Sequence, residues 1–206
     1  MYKSTLKEIA TSLAVSFFFT ALFVIIVYFT CNNTINKYAL LINTASVKLN
    51  NTNNVIAYNS ATKRLINYPV YNQKFATLHL DRLDIELPIY HGDSLSLLRN
   101  GIGHFAGSYF PGENGTIILA GHYTKDYFRS LYYLVLEDTV TIEANYGTFI
   151  YQVDEIKVIS EKEVDAFRIQ SEEEILIMYT CYPLDTIGRK SQRYVIYAHK
   201  IGDANV

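Results

Sequence analysis

Apolar and polar positions divide this chain into three regimes. From Ile9 to Thr30 the residues are apolar, aromatic, small or hydroxyl-bearing, and no charged side chain interrupts them. A helix of that length reaches about 30 Å, the thickness of a bilayer core. A core helix would alternate with polar positions. A cleavable signal would end a shorter apolar stretch in small residues, whereas this one runs out through Tyr28-Phe29-Thr30-Cys31-Asn32-Asn33. The pattern predicts a retained transmembrane signal anchor. Lys3 and Lys7 precede it, opposed only by Glu8, so the positive-inside bias places the N-terminus in the cytoplasm and everything after Thr30 outside.

The second regime, Asn32 to Tyr71, is rich in Asn, Thr and Ser, with apolar residues too scattered for a core of its own. Leu40, Leu41 and Val47 suit a helix leaving the membrane, and Asn50 to Asn54 breaks it. This reads as a stalk. The expected division is therefore 1–31 cytoplasmic tip and anchor, 32–74 extracytoplasmic stalk, and 75–206 one folded domain, a common domain size.

The third regime is β-patterned. Ala76 to Leu80 and Ile85 to Tyr90 alternate apolar and polar residues, Gly115 to Ala120 is a short apolar run, and Thr139 to Ala144 and Gly147 to Val158 alternate again. Ile175 to Cys181 and Arg193 to Ile201 follow. Leu95 to Leu98 and Tyr127 to Leu134 have helical spacing. A closed barrel is the natural way to dispose of so many strand edges, and a sandwich fits the patterning too.

Composition changes this picture little. The net charge is −2 with no basic block, which argues against nucleic acid as a partner. No internal repeat is present, and the Asn-x-Thr sequons at Asn32, Asn50 and Asn114 matter only in a glycosylating host. The two cysteines lie far apart, Cys31 at the membrane surface and Cys181 near the end of the domain, and no Cys-x-x-Cys occurs, so no disulfide framework is expected.

Candidate chemistry gathers at Cys181. A lone thiol in an apolar strand is ordinarily a small hydrophobe. Here Thr180-Cys181-Tyr182-Pro183 ends the strand, His122 ends an earlier apolar strand, and Arg193 opens the next one. A thiol, an imidazole and a guanidinium at strand ends suit acyl transfer through a cysteine.

These residues resemble the sortases, membrane-anchored cysteine transpeptidases of Gram-positive surfaces. Family members carry Thr-Leu-x-Thr-Cys, of which Ile177-Met178-Tyr179-Thr180-Cys181 keeps the last two. The family histidine has an Ala-Gly-His context, matched by Ala120-Gly121-His122. The family arginine opens the strand after the cysteine, matched by Arg193 in Gln192-Arg193-Tyr194-Val195-Ile196. Gly101-Ile102-Gly103-His104-Phe105 and Gly107-Ser108-Tyr109-Phe110-Pro111-Gly112-Glu113 agree as well. Thr-Cys-Tyr-Pro and a glycine in the loop before the arginine are most similar to class D, and neither the aromatic lid nor the C-terminal span of class C is found.

The resemblance implies a mainly β, sortase-like closed barrel with short helices. It implies cleavage of an LPxTG-like sorting signal on secreted proteins through a Cys181 thioester. The protein would then pass to an amine of peptidoglycan or its lipid-linked precursor. His122, Cys181 and Arg193 would be catalytic, with His104 and Thr180 touching substrate, and no cofactor or metal is expected. Glu113, Glu161, Glu163 and Asp165 are similar to acidic loops that bind calcium in some sortases, but a solvated charge run accounts for them. His79, His91 and His199 carry no such context. A papain-like enzyme would place its cysteine before its histidine, and the Ser-x-Gly-Cys-x-Arg type of signature of L,D-transpeptidases is missing. A membrane-tethered, non-catalytic β-domain for adhesion or surface assembly is the remaining alternative.

Overall fold

The computed structural model describes residues 13–28, 55–123, 127–183, 188 and 190–204. The chain divides into two compact units, Met1–Asn50 and Asn51–Val206. In the first, residues 13–28 are helical and exposed on every side, including Phe17, Phe18 and Phe23. Among the described residues no helix is long and apolar enough to cross a membrane. The remainder of the expected span from Ile9 to Thr30, Lys3 and Lys7, Cys31 and most of the expected stalk lie outside the described residues.

The second unit is built on a closed barrel. Its wall consists of β3 (Lys74–Leu80), β4 (Ile85–His91), β5 (Ile102–His104), β6 (Thr116–Ala120), β7 (Thr139–Ala144), β8 (Gly147–Ser160), β9 (Ile175–Tyr182) and β10 (Gln192–Ala204). The order around the wall is β10-β8-β7-β3-β4-β5-β6-β9, closed by pairing of β9 with β10. β4–β5 and β6–β9 pair in parallel and the other neighbours antiparallel. Closure leaves no unpaired edge.

The predicted strands all appear, most lengthened by one to four residues. β5 is the addition. At three residues with a central glycine it is too short for a period-two pattern, and its pairing with β4 and β6 creates it. The expected helix over Tyr127 to Leu134 is a 3-10 turn, Phe128–Tyr133, and Leu95 to Leu98 lies in turns.

Alternation sorts the wall residues into two cores. Ile117, Leu119, Leu176 and Met178 join Leu78, Ile142, Phe149 and Ile196 inside the barrel. Ile118, Ile177, Val195 and Ile159 form a second cluster on the opposite face, packed by Phe167 and Ala166 of the β8–β9 connection. β6 is therefore buried on both faces, which is why its sequence reads as a continuous apolar run.

Part of the segment expected as stalk packs on the barrel. Ile56 and Leu65 are buried in the barrel's core cluster, and β1 (Tyr58–Asn59) and β2 (Arg64–Leu65) form a hairpin at its side. Two buried carboxylates hold this segment and the loop before β6. Glu113 accepts hydrogen bonds from the Leu65 and Phe110 N–H groups and the Tyr68 hydroxyl. Glu174 accepts from the Gly112 and Asn114 N–H groups and the Tyr151 hydroxyl. Hairpin contacts that span tens of residues leave no periodic trace in the sequence, so residues 55–73 looked like a tether.

Candidate active site

β6, β9 and β10 lie side by side and deliver the chemistry at one end of the wall. In the parallel β6–β9 pair Ala120 stands beside Tyr179. The Gly121 N–H continues the ladder to the Tyr179 carbonyl at 3.2 Å, so the register brings His122 level with Cys181. In the antiparallel β9–β10 pair Arg193 is directly opposite Cys181. Opposed residues share a sheet face, with Cβ atoms about 5 Å apart. Ile177, Tyr179 and Cys181 alternate onto the outer face, away from the barrel interior.

Each of the three is partly exposed, and Cys181 is a free thiol. Their backbones are fixed independently. The buried Thr180 hydroxyl donates to the Gly121 carbonyl at 2.9 Å, tying the two strand ends together. The Phe128 N–H donates to the His122 carbonyl at 3.1 Å. Gly121 makes this approach possible, because a Cβ there would stand 2.6 Å from the Phe128 ring. Tyr123, next to His122, has the Arg129 and Lys190 cations each 5.7 Å from its ring centroid.

Arg193 is held by its two terminal nitrogens. Nη1 donates to the Lys190 and Gln192 carbonyls at 2.9 and 2.8 Å, and Nη2 to Glu161 Oε2 at 3.3 Å. The outer face beside the triad is walled by the β8–β9 connection, where Phe167 packs on the Tyr179 ring at 4.8 Å and Ala166 accepts from the Tyr197 hydroxyl at 2.9 Å. Burial, and then the charge of Asp93, raise the Tyr179 phenol above its ordinary range, while Arg193 opposes them. Tyr179 is therefore a neutral hydroxyl on an otherwise apolar floor, a position that the strand pattern showed only as a variable residue before Thr180.

Two residues expected to touch substrate lie buried. His104 is fully buried, with Phe110 and Phe75 ring centroids at 4.3 and 5.5 Å. Its Nε2 lies 2.8 Å from the Tyr109 carbonyl and must donate there, which leaves Nδ1 to accept from His91 Nδ1 at 3.3 Å. Burial pushes its imidazole down to about 4. Two-residue alternation from Ile102 turns His104 inward, so its motif context marks a packing site. Thr180 is also buried on the inner side, where its hydroxyl positions the strand bearing His122.

Among the described residues no group of three or more His, Cys, Asp and Glu side chains could hold an ion. Glu113 is consumed by the hairpin and Glu161 faces Arg193.

Residues 78–201 match the sortase domain family model, more than half of the chain. The chain belongs to the sortase family. It is 34% identical over 133 residues to sortase D of Bacillus subtilis, covering 65% of this chain and 67% of that one. Among solved structures it is similar to a Clostridium perfringens sortase D5 transpeptidase, with 28% identity and a TM-score of 0.59 over 66% of this chain and 83% of that one. It is also similar to sortase C1 of GBS pilus island 1, with 27% identity and a TM-score of 0.59 over 65% and 66% of the two chains. Within the sortases the chain is most like class D. Family membership makes it an enzyme of the cysteine transpeptidase type, and the closed barrel agrees with that frame.

Proposed function

We propose that this sortase cleaves an LPxTG-like sorting signal and joins the protein to an amine of the cell wall, with Cys181 as nucleophile, His122 as acid and base, and Arg193 as a fixed cation. The register that sets Arg193 opposite Cys181, with the His122 strand end on the other side of β9, carries this reading.

The Cys181 thiolate attacks the carbonyl carbon of the Thr-Gly bond. The tetrahedral oxyanion is stabilised by Arg193, whose guanidinium stays charged at any working pH. As the C–N bond breaks, protonated His122 gives its proton to the departing amine, leaving a thioester. An incoming amine then attacks the thioester carbon, neutral His122 takes its proton, and collapse returns the Cys181 thiolate with a new amide. Peptidoglycan or its lipid-linked precursor supplies that amine.

The charge-free run around the exposed, apolar helix of residues 13–28 supports a single-pass membrane anchor. With Lys3 and Lys7 inside, the domain faces the cell wall. The non-catalytic alternative is disfavoured by a partly exposed thiol flanked in register by two catalytic residue types.

Incubating the full chain with sorting-signal peptides and amine acceptors, read by mass spectrometry, tests the reading. Wild-type protein should yield cleaved and ligated products, and a folded Cys181→Ala variant neither. Normal turnover by that variant would remove the covalent mechanism.

A further inference from the structure

Arg193 emerges at the start of β10 from a loop, yet its side chain is largely covered, 22% exposed against 19% for the Glu161 side chain. Three contacts fix it. Two are carbonyls of its own loop, Lys190 and Gln192, which accept from one nitrogen. The third is the only one of the three that comes from another strand's end, Glu161 just after β8, accepting from the other nitrogen at 3.3 Å.

The backbone shows that this pairing is built into the fold. The Glu161 N–H donates to the Ser191 carbonyl at 2.8 Å, extending the β8–β10 ladder past its last pair, Gln192 with Ser160. Arg193 is thus bracketed across its two neighbouring strands, with Ile159 opposite it on β8 and Cys181 opposite it on β9. A long side chain at a strand start has many rotamers, and only some present donors above the sulfur. Salt bridging at a largely covered position restricts that choice, and the pair's charge-assisted geometry is stronger than at an open surface.

We infer that Glu161 is a positioning residue, which holds the Arg193 guanidinium in the orientation that serves Cys181. The inference rests on the proposed role of Arg193 in the reaction. Glu161 itself touches neither the substrate carbonyl nor the sulfur. It acts through Arg193, and its carboxylate was indistinguishable in the sequence from its neighbours Glu163 and Asp165.

A double-mutant cycle on the full chain tests this, with kcat and KM for sorting-peptide cleavage and thermal unfolding measured on each variant. Glu161→Ala should lower kcat/KM by about 10-fold, chiefly through kcat, because a misaligned guanidinium fails the transition state more than the bound substrate. Glu161→Gln, which keeps an acceptor oxygen, should restore part of the loss. Arg193→Lys alone should cost on the order of 100-fold, and the double variant Glu161→Ala/Arg193→Lys little more than that, since residues acting as a unit are not additive.

Multiplying losses in the double variant would overturn the inference, as would a rate increase in Glu161→Ala, which would mark the pair as a brake. Wild-type kinetics in Glu161→Ala beside an impaired Arg193→Lys would sink the inference and leave the proposed mechanism standing. Wild-type kinetics in Arg193→Lys would instead remove the mechanism beneath it. Should Glu161→Ala fail to fold, the Glu161→Gln arm with its own double variant decides on the same criterion.

Discussion

At the scale of single residues the site is a set of side chains that each need a different support. Cys181 is held by strand pairing, Arg193 by Glu161 and two carbonyls, and His122 by contacts to the residues around it. Thr180 shows how indirect such support is. Its hydroxyl is buried and donates to Gly121, one residue before His122. Thr180→Val keeps the shape and removes the donor, leaving a buried carbonyl without that partner. The expected outcome is a stability loss of about 1–2 kcal/mol and a fall in kcat with little change in KM. Chemical denaturation and steady-state kinetics on the same variant check it, and unchanged kcat would show that His122 needs no such tie.

Among elements, β6 and the 3-10 turn Phe128–Tyr133 meet through Gly121. The glycine is required by space, since its backbone accepts the Phe128 ring where a methyl group would clash. Gly121→Ala should push the turn outward, costing about 1–3 kcal/mol and displacing His122. A lowered melting temperature with reduced cleavage would agree, and a fully active, fully stable variant would show the packing to be slack. The same meeting of elements explains what was legible beforehand. The apolar run of β6 announced a doubly buried strand, but nothing in Tyr127 to Leu134 said that its turn would be 3-10, because the packing against β6 and β9 sets it. β5 was hidden for a similar reason, being defined by its neighbours on both sides.

At the scale of the molecule, the pairing of buried His104 with half-buried His91 couples stability to acidity. His104 is down-shifted to about 4 from an ordinary 6.5, and burial lowers His91 too. The unfolded chain takes up a proton on each near pH 6.5, whereas the native chain resists until lower pH. The contribution is full above pH 6.5 and is lost as pH falls toward 4, with His104 accounting for at most about 3 kcal/mol. Denaturation midpoints should therefore drop across that window, and His104→Gln, which cannot titrate, should flatten the slope. An equal slope in both proteins would assign the acid sensitivity elsewhere. Orientation is a second whole-molecule property: a membrane-impermeant thiol reagent should label Cys181 on intact cells, with the Cys181→Ala variant as control. Protection until the cells are opened would reverse the proposed topology.

The sequence by itself determined seven of the eight strands of the barrel, because period-two alternation is a local property of half-buried backbone, and it determined the residue types at three strand ends. It also made Cys181 the candidate nucleophile, since Thr180-Cys181-Tyr182-Pro183 ends an apolar strand and sets the sulfur at its edge. Only the tertiary structure decided which strands are neighbours, and hence that Arg193 faces Cys181 while His104, despite its family-like context, turns into the core. It decided too that Ile56 and Leu65 join the barrel's core and that Glu161 pairs with Arg193. Those outcomes depend on contacts between segments tens of residues apart, and no local pattern of apolar and polar positions encodes which distant strand will close against which.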